Sequence, residues 1–289
     1  MTGATGNIGS QLIKKLSNEN VNIRAAVHSL SRSDKIQSLG VRDLVEIDFD
    51  MPSKIQYSIF KDVDKLFLLT PNFDTKGILK ILEEAKKAGV QHIIQLSSDS
   101  VSLASAESKG TKIFKEKEKM IQESGIPYTI LRPTAFMQNF LNNGFTIKTQ
   151  NKFYLPWGKG KVRSVDTRDI ASVAAKILIS DSENYKNKSY SITGPEALSC
   201  YDIAKIFSEI LENNIEFVDV SEEESFNEMR RMSMSDILIE YILELSRIIK
   251  QDSVSNISSS VEEITGKKPI TFRKFVEDYK EAFKSNIAI

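Results

Sequence analysis

The chain has 289 residues, 40% of them hydrophobic and 27% charged, which suits one sizeable globular domain or a nucleotide-binding core with a smaller lobe. Lys plus Arg and Asp plus Glu number 39 each, so no basic excess points to nucleic acid, and no apolar run approaches the roughly 18 residues of a membrane span. A single cysteine, Cys200, excludes an internal disulfide and a thiolate zinc cage; two histidines leave little for any other metal site, and a reducing cytoplasm is the expected compartment.

The chain opens on "MTGATGNIGSQLIKKL", a turn with Gly3, Gly6 and Gly9 spaced Gly-x-x-Gly-x-x-Gly before an amphipathic helix. Short apolar runs follow at 21–27 ("VNIRAAV"), 44–48 ("LVEID"), 64–70 ("DKLFLLT"), 91–98 ("QHIIQLSS") and 127–133 ("PYTILRP"). They are apolar on both faces, as strands covered by helices on each side must be. Between them lie helical patterns, "DTKGILKILEEAKKAG" stopping at Gly89 and "TKIFKEKEKMIQESG" stopping at Gly125. Strand and helix in alternation predict an α/β fold with a Rossmann-type doubly wound parallel sheet. Beyond Pro133, "SVDTRDIASVAAKILI" predicts a helix capped near Asp166 or Thr167, and "KSYSITG" one more strand. From Leu198 the pattern is mainly helical, with starts at Ser or Thr in "SCYDIAKIFSEILENN", "SMSDILIEYILELSRIIKQ" and "TFRKFVEDYKEAF"; "SVSNISSSVEE" and "TGKKP" read as connections. The expected division is a core of residues 1–135 joined by 161–194, with 136–160 and 195–289 forming a lobe over the carboxyl ends of the strands.

In such a turn the first glycine permits a tight bend, the second lets backbone N–H groups approach phosphates, and the third lets the helix pack close. The helix then presents unpaired donors and a positive dipole end to a pyrophosphate. The strand that should feed the turn is reduced to Met1 and Thr2. The expectation is that neighbouring strands carry unpaired backbone groups unless another segment fills the gap, with weak cofactor affinity or a natural start further upstream. About 20 residues on, where an acid would hold the adenosine ribose, stand His28, Ser29, Leu30, Ser31 and Arg32. Without that acid, and with Arg32, His28 and two serines able to hold a 2′-phosphate, NADPH is favoured over NADH. The plainer alternative is that "SLSRSDK" is a capped helix start. The residues expected to line the cofactor are Thr2, Gly3, Thr5, Gly6, Asn7, Ile8, Gly9, His28, Arg32, Asp48, Phe49, Thr70, Pro71 and Ser97.

The segments "TGATGNIGSQL", "FLLTPNF", "LSSDS", "SGIPYTILRPTAFMQNF", "VDTRDIA", "ITGPEALS" and "VEEITGKKPITFRKFVEDYKEAF", in order along almost the whole chain, resemble the NmrA-like branch of the atypical short-chain dehydrogenase/reductases. Within it the resemblance is nearest to type 2 NAD(P)H:quinone oxidoreductases and triphenylmethane reductases. It implies a Rossmann fold, NADPH, and hydride transfer to planar aromatic acceptors; it also implies that some members sense NAD(P) without turning over a substrate. The chain departs from the pattern at its first strand, at His28 where relatives usually place Arg, and at Phe114, where relatives often place a His or Lys facing the cofactor.

Ordinary short-chain reductases use a Tyr-x-x-x-Lys pair on the helix after "LSSDS". Here that helix has no tyrosine, and the two matches elsewhere, Tyr57 with Lys61 and Tyr201 with Lys205, read as accidental, so no catalytic residue is assigned. What remains is hydride transfer that depends on stacking a small aromatic acceptor against the cofactor. Its pocket is expected from Phe73 (with Pro71 and Asn72), Ser98, Phe114, Thr134, Phe136, Met137 and Trp157, core packing being the alternative for Phe136, Met137 and Trp157. His92 and Cys200 read as structural, Arg132 and Asp169 as ion-pair or capping residues, and the run 115–119 ("KEKEK") as a solvated charged face. The leading expectation is an NADPH-dependent reductase of quinone-like acceptors, monomeric or homodimeric, with no nucleic-acid or membrane partner. The alternative is a non-catalytic dinucleotide sensor that binds a partner protein; a methyltransferase is a distant third.

Overall fold

The structure is a computed structural model that describes residues 1–70, 73, 75–251 and 256–284, with only the backbone described at Arg32, Lys35 and Ser182. Its strands are β1 (Arg24–Val27), β2 (Asp43–Glu46), β3 (Lys65–Leu68), β4 (His92–Leu96), β5 (Tyr128–Pro133), β6 (Lys152–Leu155), β7 (Lys161–Val162), β8 (Lys188–Ile192), β9 (Leu198–Ser199) and β10 (Glu216–Asp219). Its helices are α1 (Asn7–Leu16), α2 (Asp34–Gln37), α3 (Lys76–Lys87), α4 (Lys109–Glu123), α5 (Gly144–Gln150), α6 (Thr167–Ile179), α7 (Cys200–Leu211), α8 (Glu222–Arg231), α9 (Asp236–Lys250), α10 (Ser260–Thr265), α11 (Phe272–Asp278) and α12 (Lys280–Phe283).

β3, β4, β5 and β8 form a parallel sheet in that order, and β1 pairs in parallel with β2. Met1 and Thr2 join the two pieces. The Met1 carbonyl accepts from Ala26 N–H at 2.8 Å, Met1 N donates to the Arg24 carbonyl at 2.7 Å, and Thr2 N–H donates to the Phe67 carbonyl at 3.0 Å. The Thr2 hydroxyl adds a second rung, donating to the Leu69 carbonyl at 2.7 Å and accepting Leu69 N–H at 2.8 Å. Two residues therefore stand between β1 and β3 as an inner strand would, so the expected orphan groups at this level are paired.

Side chains alternate across the sheet as the pleat requires. Phe67, Ile94 and Leu131 face α1 and α6, whereas Leu66, Leu68 and Ile93 face Ile78, Ile81 and Ile121 of α3 and α4. The predicted cap of α6 is Asp166, fully buried, whose side chain accepts Arg168 N–H at 2.8 Å. A second cluster, dense in phenylalanine, joins Phe140, Phe153, Phe207, Phe272, Phe275 and Phe283, gathering α7, α11 and α12. Ser199 and Asp202 make a reciprocal capping box at the start of α7.

The structure adds α5, α8 and the antiparallel pair of β7 and β9, which the sequence reading did not name, and differs from it in three further places. β6 and β10 form a parallel pair where no strand was expected; Phe153 and Phe217, 5.4 Å apart between ring centres, hold together strands too short to announce themselves locally. α10 forms within a segment expected to be a connection, because Val261 and Ile264, three apart, reach the core under α6. The predicted C-terminal helix breaks at Tyr279 into α11 and α12. Among the described residues no helix is long and apolar enough to cross a membrane.

Candidate functional site

The glycine turn closes tightly ahead of α1. Gly3 has φ +66°, a conformation glycine adopts freely, and its carbonyl accepts Gly6 N–H at 3.1 Å to close the bend. A Cβ on Gly9 would lie 2.1 Å from the Gly3 carbonyl oxygen and 2.8 Å from Ala4 Cα, so only glycine lets α1 seat against its own turn. A Cβ on Gly6 would meet only the Gly3 oxygen, at 3.4 Å, leaving its outer side open. Among the described residues no side chain caps α1 and no acid lies in its first turn, so none of them competes for its leading N–H groups and dipole end. Ile8, Leu12 and Leu16 anchor the helix in the core, while Thr5, Gly6 and Asn7 are exposed at its mouth.

Beside the turn lies a cavity of about 310 Å³. Gly3 and Thr5 wall one side, Val27 and His28 the end of β1, Asp48 and Phe49 the exit from β2, and Leu69 the exit from β3. Five of the predicted cofactor residues (Gly3, Thr5, His28, Asp48 and Phe49) thus share one cavity. Phe49 is seated on Gly77 of α3, where a Cβ would approach its ring to 3.0 Å, and Asp48 accepts Asp50 N–H at 2.9 Å. Ser29 and Ser31 hydroxyls bond each other at 2.8 Å beside exposed His28. The side chain of Arg32, and Pro71 and Asn72 entirely, lie outside the described residues.

A second group gathers at the carboxyl ends of β3 and β4. Phe73, Phe114 and Tyr241 form a triangle of rings with centres 5.6 to 5.7 Å apart. Tyr241, from α9, bonds the Ser98 hydroxyl at 2.6 Å and lies 3.5 Å from Ser100 Oγ. Burial raises its phenol above the usual range, partly offset by those two serines. Three residues on, buried Glu244 accepts the Ser108 and Thr111 hydroxyls at 2.6 and 2.8 Å and also the backbone N–H groups of Glu107 and Ser108, so α9 caps the start of α4 from outside. Burial alone would raise the Glu244 carboxyl; these donors outweigh it and hold the group below its ordinary value.

The charged run on α4 is not a solvated face throughout. Lys117 and Glu118 are only 2% and 3% exposed. Lys117 Nζ donates to Thr70 Oγ1 at 2.9 Å and lies 5.9 Å from the Phe114 ring centre. Glu118 accepts the Ser97 hydroxyl at 2.6 Å and takes a forked pair from Arg132 at 3.0 and 2.6 Å, the ion pair expected of Arg132. The signal was present in the spacing: Gly110, Phe114, Lys117 and Ile121 fall at i, i+4, i+7 and i+11, one inward stripe.

The remaining predicted pocket residues lie at the exit of β5 and beyond. Thr134 donates to the Arg163 carbonyl at 2.7 Å, and Phe136 packs on the main core. Met137 is buried in the lobe cluster; Trp157 packs edge-on to Phe140 at 6.2 Å and donates its indole N–H to Ser246 at 3.2 Å. They do not meet the triangle of rings in the described contacts. His92 is buried, bonded to Thr129 at 2.8 Å and held neutral by burial, which brings it down to about 4; Cys200 is buried too, and burial raises its thiol. Asp169 accepts Ile270 N–H at 2.8 Å.

The sequence profile of the NmrA-like family matches residues 1–277. The chain belongs to the NmrA-like family. A relative 29% identical over 288 residues, covering 98% of each chain, is the "NAD(P)H azoreductase" of Xenophilus azovorans. Two solved structures share the fold: an NADPH-dependent quinone oxidoreductase from Escherichia coli (TM-score 0.82, 22% identity, 96% of this chain and 98% of that one) and NmrA, a negative transcriptional regulator in complex with NADP (TM-score 0.76, 15% identity, 96% and 93%).

Proposed function

We propose that this NmrA-like protein is an NAD(P)H-dependent reductase that prefers NADPH and passes hydride to a planar aromatic acceptor such as a quinone or an azo compound. The observation that carries the reading is the uncapped glycine turn opening on a 310 Å³ cavity that ends at Leu69, next in sequence to the Thr70–Lys117 contact. The residues fit a dinucleotide: the Gly9 cradle tolerates no side chain, and the first N–H groups of α1 have no competing acid. Bound there, the reduced nicotinamide would supply the hydride.

The chain's own residues do the rest. Gly3, Gly6 and the start of α1 hold the pyrophosphate; His28, Ser29 and Ser31 flank the adenosine ribose; Asp48 and Phe49 flank the base. Lys117 and Thr70 hold the far end of the cofactor at the carboxyl edge of β3 and β4, where ligands of such sheets lie. Phe73 and Phe114, both partly buried, offer ring faces on which a planar acceptor stacks, and Tyr241 closes the group. The relative's azoreductase name and the fold shared with a quinone reductase support this class of acceptor.

The fold shared with NmrA favours a second reading, a dinucleotide sensor. Fluorescence titration of the full chain with NADPH and NADH, followed by an acceptor panel of quinones, azo compounds and cationic dyes, separates the two. Micromolar NADPH binding with acceptor-dependent oxidation supports the reductase; binding of both redox states with oxidation at background across the panel supports the sensor.

A further inference from the structure

On the inward stripe of α4, Phe114 is apolar and Lys117 is bonded to Thr70, so the stripe itself brings no hydroxyl to the rings at the end of β4. The hydroxyl comes instead from the lobe. Tyr241 reaches the carboxyl end of β4 and bonds Ser98 at 2.6 Å, its ring against Phe73 and Phe114. Its backbone approach is prepared on both sides. A Cβ on Gly110 of α4 would lie 2.8 Å from Tyr241 Cβ, and Glu244, one turn along α9, is fixed on the start of α4 by two hydroxyls.

We propose that Tyr241 is the hydrogen-bond donor of the acceptor pocket, meeting the negative charge that develops on the acceptor's oxygen or nitrogen as hydride arrives. The inference rests on the reductase reading and assigns the polar contact which that reading left open. When a quinone is reduced, hydride brings two electrons, and one oxygen becomes anionic. Tyr241 Oη–H donates to that oxygen, Ser98 orienting the phenol, and water supplies the proton that completes the hydroquinone. The phenol keeps its own proton throughout, as a buried tyrosine does. A triphenylmethane cation differs: hydride neutralises a carbon centre to give the leuco dye, no anion forms, and the hydroxyl has nothing to stabilise.

Tyr241→Phe keeps the ring and removes only the donor. The variant should reduce a quinone with kcat lowered about 10- to 100-fold, while kcat for a triphenylmethane cation changes by less than about twofold and NADPH affinity is unchanged. Binding of para-nitrophenolate, an oxyanion of the product's shape, should weaken about tenfold in the variant, and binding of nitrobenzene should not. If the variant melts below assay temperature, Ser98→Ala, which removes the orienting partner, reads the same contrast. Equal losses on quinone and dye would overturn the proposal in favour of a packing role, and so would unchanged quinone turnover. If the parent protein reduces no acceptor, the reductase reading fails by itself, and the phenolate titration still decides whether Tyr241 is a donor: loss in the variant upholds it, equal affinity refutes it.

Discussion

Substituting the second and third glycines of the turn separates cofactor binding from folding. Gly6 has φ −79° and ψ 177°, ordinary for alanine, and a methyl there meets only the Gly3 oxygen at 3.4 Å. Gly6→Ala should therefore cost the free protein no more than about 1 kcal/mol. The methyl projects from the open side of the turn, where a pyrophosphate would approach the N–H groups. Loss of one charge-assisted hydrogen bond, about 1.5–3 kcal/mol, weakens NADPH binding roughly 10- to 100-fold. Gly9→Ala behaves differently, because its Cβ would stand 2.1 Å from the Gly3 oxygen and 2.8 Å from Ala4 Cα. Both neighbours are backbone, so α1 must withdraw by about 1 Å, at a cost of about 1–3 kcal/mol and a Tm drop of several degrees. NADPH fluorescence titration alongside thermal melting of both variants reads the contrast. A Gly6→Ala protein that melts like the parent and binds NADPH equally well would refute the placement of the pyrophosphate.

Three further outcomes are expected. Lys117→Met, with its ring and aliphatic surroundings kept, should lower kcat/KM for NADPH at least about tenfold with circular dichroism unchanged; wild-type kinetics would remove Lys117 from the cofactor's far end. Glu244→Ala strips four donors at the start of α4 of their acceptor and should cost about 2–4 kcal/mol in a denaturant titration, against less than about 1 kcal/mol for exposed Glu240→Ala. Asp169 is held up to about 6, from 3.8, by burial and by Asp166, with Ile270 N–H, Arg168 and Lys15 pulling it back. The native state therefore keeps this proton when the unfolded chain has lost it, and stability falls as pH rises from about 4 to about 6. Asp169→Asn, which can still accept Ile270 N–H, should raise Tm at about pH 7.5 and leave it nearly unchanged at about pH 4; no gain at the higher pH would contradict the burial cause.

β3, β4 and β5 were legible because they are largely buried on both faces and so read as nearly unbroken apolar runs, with glycine stops at Gly89 and Gly125 marking the helix ends between them. The turn was legible because Gly3 and Gly9 answer local steric demands and Gly6 completes their spacing. The hidden parts of the candidate site are those that depend on distant pairing. Lys117 sits in an alternating charge run whose composition suggests solvent, and only the stripe through Phe114 and Ile121 marks it as inward. Tyr241 lies between Glu240 and Ile242 in an ordinary amphipathic run of α9, and its partner Ser98 is 143 positions away, so nothing local distinguishes it. β6 and β10 were missed for the same reason, since each is stable only against the other. The two residues ahead of the glycine turn, too short to count as a strand, supply the rungs between β1 and β3 through backbone atoms that carry no sequence signature.

The most direct test of hydride transfer is a single-turnover experiment without oxygen. The full chain, loaded with one equivalent of NADPH, is mixed rapidly with excess quinone while the reduced nicotinamide absorbance is followed. A saturable, protein-dependent decay with one hydroquinone formed per NADPH is the predicted result. Bound NADPH that persists at the rate of the protein-free control, with quinones and azo compounds alike, would contradict the reductase and leave a dinucleotide-binding protein without turnover.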